Sequence, residues 1–254
     1  MTKEQRHEFI TLQLTTRDSI SVIELSHLLS VSPVTIRKDL AELEQEGKLY
    51  RSHGCAKPIN PFTNNRPVNE KEVLFVEEKR RIGIKAASFV TERDSIIIAS
   101  GTTVHALARA IRPIERLSVV SASLPVTLTL SADHNIDIIQ LGGWLRHSSL
   151  STVGEFSESV LDHLTFSKLY LGVDGIDFEY GITTTDIREA QLNKKMMRAA
   201  EKTIVVADSS KFGRRGFAKI SDLEEVDLII TDSNIPQGAR HKLEERGIEV
   251  LVAE

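Results

Sequence analysis

The sequence is poor in the residues that most often announce a chemistry. Its single cysteine, Cys55, excludes an intrachain disulfide and a cysteine-rich metal site. The eight histidines are scattered and never fall at metal-ligand spacing, so no metal and no cofactor are expected. A Gly-x-Ser-x-Gly elbow and a complete P-loop are both missing, and Gly213 and Gly216 near Lys211 do not follow dinucleotide spacing. No apolar run approaches the roughly 18 residues of a membrane span. The opening residues MTKEQRHEF are polar and lack the apolar stretch of a leader, which leads us to expect a cytoplasmic protein with no membrane partner. An excess of positive charge is lacking too, since the net charge over 254 residues is −4. The one tryptophan, Trp144, follows Gly142 and Gly143 and fits a pocket wall or a subunit contact equally well.

What is present begins with a helical pattern between Ser30 and Leu49. Ser32 can cap a helix and Pro33 suits its first position, where a fixed φ helps and a missing N–H costs nothing. Ile36, Leu40 and Leu43 follow at i, i+4 and i+7, so one stripe faces a core, and Gly47 supplies a stop. Val34 and Lys38 lie opposite that stripe, with Thr35 and Arg37 beside them. An apolar contact, a methyl-bearing hydroxyl and two cations suit base edges and phosphates in a major groove. Two helices precede it, one over Lys3–Leu14 and one opened by the capping pattern Ser21 to Glu24. Three helices in about 45 residues is helix-turn-helix spacing. The alternating segment Lys48 to His53 reads as a β-wing that can lay Arg51 and His53 on the phosphate backbone. The candidate DNA-binding residues are therefore Ser32, Pro33, Val34, Thr35, Arg37, Lys38, Arg51 and His53. Residues 1–54 nonetheless hold seven Lys and Arg against eight Asp and Glu, which weakens the electrostatic case for DNA.

Cys55 to Asn69 carries three prolines and four asparagines without periodicity, as a linker does. The expected division is a winged helix-turn-helix at 1–57, a linker at 58–76 and a second domain at 77–254. In that domain, short apolar runs start near Ser95, Leu117, Ile136, Lys168, Lys202, Asp227 and Ile248 and alternate with helices. This pattern predicts an α/β domain with a parallel sheet covered on both faces.

In such sheets ligands bind outside the carboxyl ends of the strands. The residues there are Ser100, Gly101, Thr102 and Thr103, then Ser121 and Ser123, then Gly142 and Gly143, then Asp174, and then Asp208 to Lys211. Small and hydroxylated residues let backbone N–H groups approach an anion, and a helix starting at Thr103 adds its dipole. Lys79, Arg188 or Lys211 can add positive charge, and Asp174 and Glu189 can accept sugar hydroxyls. Each of these features is also ordinary turn chemistry when taken alone.

Several stretches together resemble the DeoR-type bacterial transcriptional regulators of sugar metabolism. They include Leu29 to Leu40, Gly47 to Gly54, Glu78 to Ile82, Ser100 to Thr103, Leu141 to Gly143, Gly172 to Ile176, Glu189-Ala190 and Ala207 to Gly213. The resemblance implies a winged-helix DNA-binding domain joined to a sensor similar to ribose-5-phosphate isomerase and the CoA-transferase fold. It further implies a repressor, relieved by a phosphorylated sugar, that binds double-stranded DNA as a homo-oligomer, a dimer or a tetramer. Gly101, Thr102 and Thr103 would hold the phosphate, and Asp174, Glu189 and Lys211 the sugar. The chain departs from the family pattern at Ala99, where Asp is usual, and at Ala122, where Asn is usual. Both changes would strip polar groups from the hydroxyl-binding side. Two other readings stay open: an effector-blind DNA-binding regulator whose second domain only oligomerises, and a sugar-phosphate isomerase-like enzyme.

Overall fold

Ile36, Leu40 and Leu43 are fully buried, and around them the N-terminal helices assemble. The computed structural model describes residues 1–45, 48–52, 54–58, 67–113 and 115–254. The chain divides into two units, Met1–Asn64 and Asn65–Glu254. The expected stop at Gly47, the wing residue His53 and residues 59–66 of the expected linker lie outside the described residues.

In the first unit, α1 (Lys3–Thr16) opens with a reciprocal capping box between Thr2 and Gln5. A two-residue strand β1 (Ile20–Ser21) leads into α2 (Val22–Leu29), where the Ser21 hydroxyl accepts from the Glu24 amide. Ser30 adopts φ +51°, which ends α2 and turns the chain toward α3 (Pro33–Gln45). Ser32 caps α3, accepting from the Thr35 amide at 3.1 Å. The wing is a hairpin of β2 (Leu49–Ser52) and β3 (Cys55–Pro58), with Gly54 at φ +77° between them. The strand β3 falls where composition suggested linker. It forms because Ala56 is buried in the same core and because β1 and β2 flank it in one antiparallel sheet. Pro58, which has no N–H for a ladder, sits at its last residue.

The second unit starts with α4 (Val68–Glu72) and α5 (Val76–Ala87). Then come β4 (Ser95–Ile98), α6 (Thr102–Ala110), β5 (Leu117–Ser121), α7 (Leu124–Leu130) and β6 (Ile136–Gln140). A hairpin of β7 (Trp144–Arg146) and β8 (Ser151–Val153) precedes α8 (Glu155–Leu161) and β9 (Phe166–Leu171). A second excursion, β10 (Gly175–Asp177) and β11 (Gly181–Thr184), leads into α9 (Ile187–Ala199) and β12 (Ala200–Val206). Last are β13 (Ala218–Ser221), β14 (Leu228–Asp232), α10 (Ala239–Glu244) and β15 (Glu249–Ala253). Residues 67–76, counted with the linker on composition, are thus partly helical and pack on this unit. The Val68 amide, for example, donates to the Ser148 carbonyl at 2.6 Å.

All seven apolar runs read from the sequence are strands of one parallel sheet, in the order β15-β14-β12-β9-β4-β5-β6. Burial on both faces explains why these runs are nearly continuous in apolar residues. Ile96 and Ile98 join the core beneath α5 and α6, while Ile97 points into the core on the opposite face with Leu192 and Met196 of α9. The chain begins in the middle of the sheet. It runs outward through β5 and β6, and then returns to build β9, β12, β14 and β15 on the other side of β4. The strand order therefore reverses between β4 and β9. That reversal opens a crevice at the carboxyl ends of these two strands.

Leu40→Ala removes a fully buried side chain from the small helical core and should cost about 3 kcal/mol. The expected result is faster amide hydrogen exchange throughout α3 with unchanged exchange in the seven-stranded sheet. Unchanged exchange in α3 would show that Leu40 does not hold it.

Candidate DNA-binding face and ligand cleft

On α3 the side chains of Ser32, Pro33, Val34, Arg37 and Lys38 are exposed and Thr35 is half-buried. Val34, at 59% exposure, is a large apolar group left open on a helix whose other face is sealed. Arg37 and Lys38 take no ion-pair partner among the described residues. Four of the eight acids that cancelled the basic residues on paper are paired within the domain. Arg6 of α1 grips Asp39 with two parallel hydrogen bonds of 2.6 and 2.9 Å, Lys3 pairs with Glu42 at 2.5 Å, and Arg17 pairs with Glu24 at 2.6 Å. Arg51 on β2 donates from Nε to Glu44 at 2.7 Å, and its amide donates to the other Glu44 oxygen at 3.0 Å. Glu44 thereby fixes the wing against the end of α3.

The cleft at the sheet reversal is lined from β4 and α6 by Ser100, Gly101, Thr102 and Thr103, and from the end of β9 by Gly172, Val173 and Asp174. Gly172 has to be glycine, because a Cβ there would stand 2.9 Å from the Ser100 carbonyl oxygen. Gly101 adopts φ +125°, and α6 starts immediately after it without a side-chain cap, so its first amides open toward the cleft. Such an amide set is suited to an anion.

Opposite lie the charged groups. Glu189, at the start of α9, accepts from Ser100 at 2.6 Å, from Arg146 Nη1 at 2.9 Å and from Thr184 at 2.9 Å. Arg146 is itself buried and also reaches Ser149, Thr185 and Asp186. Asp174 receives the Lys71 ammonium of α4 at 2.6 Å and lies 3.2 Å from the Thr184 hydroxyl. Burial pushes the Asp174 carboxyl up, but the Lys71 and Lys211 charges, with hydrogen bonds from Lys71 and Thr184, hold it well below the usual carboxylate range. Burial pulls the Lys211 ammonium below its ordinary value, against the nearby carboxylates of Asp208 and Asp174. The arrangement offers amide donors for an anion at one end, and a carboxylate and an ammonium for hydroxyls at the other.

A DeoR-like helix-turn-helix domain matches residues 6–62, and the DeoR C terminal sensor domain matches residues 74–233. The chain belongs to the DeoR family of transcriptional regulators. It is 37% identical to the uncharacterized HTH-type transcriptional regulator YulB of Bacillus subtilis, over 97% of this chain and 95% of that one. It is 34% identical to the HTH-type transcriptional regulator GlpR of Haloferax volcanii, over 99% and 98%. It is 37% identical to the lactose phosphotransferase system repressor of Streptococcus mutans, over 91% and 93%. These DeoR relatives carry names of regulators rather than of enzymes. Among solved structures, ribose 5 phosphate isomerase A from Neisseria gonorrhoeae is similar over 54% of this chain and 53% of that one, with 21% identity and a TM-score of 0.40.

Within this DeoR sensor the residues expected to meet an effector separate into two groups. Ser100, Gly101, Thr102, Thr103, Asp174, Glu189 and Lys211 come together in the cleft. Lys79, Ser121, Ser123, Gly142 and Gly143 do not line it. The Lys79 ammonium instead donates to the carbonyls of Lys71 and Leu74, at 2.6 and 2.8 Å, and ties α4 to α5. Ser121 is buried and donates to the Ile98 carbonyl, and Ser123 caps α7. Gly142 accepts from the Ser157 hydroxyl, and Gly143 packs against the Val153 carbonyl. Arg188 is exposed beside Asp186 and stays outside the cleft. Ala99 and Ala122 are both buried in the core, so neither side chain lines the cleft. The cleft residues that sequence reading passed over are chiefly Lys71, Arg146, Ser148, Ser149 and Thr184. Their one sequence signal was polarity, in the runs Arg146 to Ser149 and Thr183 to Asp186. Among the described residues no cluster of His, Cys, Asp and Glu could hold a metal ion, and no helix is long and apolar enough to cross a membrane.

Two outcomes follow from this geometry. Arg37→Ala should weaken binding to an operator selected from a random DNA pool by about 1–3 kcal/mol at matched salt; unchanged affinity would take Arg37 off the binding face. Arg146→Ala strands Glu189 as a buried charge and should destabilise the sensor unit by about 3–5 kcal/mol in a denaturant titration. The double variant Arg146→Ala with Glu189→Ala should recover part of that loss, and no recovery would show that the two side chains are not coupled.

Proposed function

We propose that the chain represses a carbohydrate-utilisation operon and releases its operator when a phosphorylated sugar enters the cleft. The names of relatives such as the lactose phosphotransferase system repressor support this reading. The observation that carries it is the uncapped start of α6, Gly101 to Thr103, set in one cleft with Asp174 and Lys211. The phosphate goes to the amides, where the helix dipole favours negative charge. The sugar hydroxyls go to Asp174, Glu189 and Lys211.

One helix-turn-helix makes few contacts, so useful affinity requires two or more copies on repeated half-sites. The protein therefore acts as a homo-oligomer, a dimer or a tetramer, on double-stranded DNA in the cytoplasm. The switch lies in α4. This helix follows the tether to the DNA-binding unit, and its Lys71 occupies the carboxylate that a sugar would use. A sugar hydroxyl that takes Asp174 competes with Lys71 and loosens α4 from the cleft. Ligand and strap then favour different states of the tether, which is the differential affinity a switch needs.

A second reading, an effector-blind regulator, draws on the fact that Asp174 and Glu189 already have cationic partners within the chain.

The test is fluorescence anisotropy on selected operator DNA at fixed salt, titrated with a panel of sugar phosphates. At least one should release the DNA. Lys211→Ala should abolish that release and leave ligand-free affinity unchanged; release that survives would move the effector out of this cleft. If no sugar phosphate in the panel shifts the melting temperature, the effector-blind reading stands instead.

A further inference from the structure

The only tryptophan of the chain stands 72% exposed, and Phe156 at the start of α8 stands 73% exposed. Both line one open groove, and Trp144 lies against Gly154, 3.3 Å from where a Cβ on that glycine would be. Leu145, Val160 and Ile187 are exposed as well. Soluble monomers rarely leave two large aromatic side chains open in one groove, and aromatic residues are enriched where chains meet.

The charges around the groove identify what covers it. Its α8 bank carries Glu155 and Glu158, and its α9 bank carries Lys194 and Arg198. None of the four has an ion-pair partner among the described residues. Neighbouring charges on the same helices do pair within the chain, Lys195 with Asp162 and Arg188 with Asp186. An apolar floor with an unspent acidic bank and an unspent basic bank is self-complementary. A two-fold axis through the floor brings the acids of one copy onto the bases of the other. We infer that this groove is the isologous interface of a homodimer, with Trp144 and Phe156 as its buried anchors and α8 of each copy set against α9 of the other. The inference does not rest on the cleft binding a sugar phosphate.

The interface also adjoins the cleft. Strand β7 supplies Trp144 to the groove and Arg146 to the cleft, and α9 supplies Arg188 and Gln191 to the groove and Glu189 to the cleft.

Sedimentation velocity on the full-length chain tests this. Wild type should sediment as a dimer or a multiple of it, and W144E with F156E should halve the mass while circular dichroism stays unchanged. The charge variants E155K with E158K and K194E with R198E should each dissociate on their own, since like charges then meet across the axis. Mixed in equal amounts they should reassemble, because the new lysines of one chain face the new glutamates of the other at one end of the interface and the native acids and bases pair at the other end. A wild type that is monomeric, a W144E/F156E chain that keeps its full mass, or a mixture no more assembled than its parts would each overturn the inference.

Discussion

The second unit depends on one buried carboxylate. Glu189 takes a hydrogen bond from Ser100 at the end of β4, one from Arg146 on β7 and one from Thr184 at the end of β11. A charge out of water is costly unless its lone pairs are filled, so burial makes these bonds obligatory rather than incidental. They join the parallel sheet to two antiparallel excursions that share no ladder with it. Lys71 is held by the same network at one remove. It pairs with Asp174, which lies beside the Thr184 hydroxyl, which in turn donates to Glu189. A change at the cleft floor is therefore felt by the strap that leads to the tether.

The parts of the fold that repeat at short period were legible in the sequence. Seven apolar runs became seven parallel strands, and the stripe Ile36, Leu40, Leu43 became the seam of α3. The cleft was only half legible, and the reason is topological. The rule that ligands sit at strand ends collects every strand end equally, including Ser121, Ser123, Gly142 and Gly143. Only the two strands flanking the reversal open a crevice between them, and the spatial order of strands is not written in any local pattern. Ser121 ends β5, one strand away from the reversal, and there its hydroxyl donates to the neighbouring Ile98 carbonyl. Lys71 and Arg146 failed the same rule for the opposite reason. They belong to a strap and a hairpin, and they meet their partners across 103 and 43 residues of sequence.

The electrostatics of the first unit was misleading in sum and clear in position. An even balance of acids and bases argues against DNA only if the charges are free to act together. Here Asp39, Glu42, Glu24 and Glu44 are each engaged by a base, and three of those pairs also fasten elements together, two joining α1 to α3 and one joining the wing to α3. What remains exposed near the start of α3 is Arg37 and Lys38 beside Val34. A modest local charge of this kind would bind one half-site weakly, so that, on the proposed reading, the affinity of the whole would depend on pairing copies.

That dependence ties the two ends of the molecule together. The groove inferred to join two copies and the cleft that would hold a ligand are opposite sides of the same two elements, β7 and α9. Arg146 and Glu189 are bonded to each other at 2.9 Å, and Trp144 on β7 and Arg188 on α9, which line the groove, lie within two residues of them in sequence. In a dimer joined through this groove, a ligand that reorders the Glu189 network would act on the spacing of two DNA-binding units by two routes. One runs through Lys71 into the tether of its own chain, and the other runs through β7 and α9 into the second copy. A repressor that reads two half-sites is sensitive to both, because each alters how far apart its recognition helices can be held.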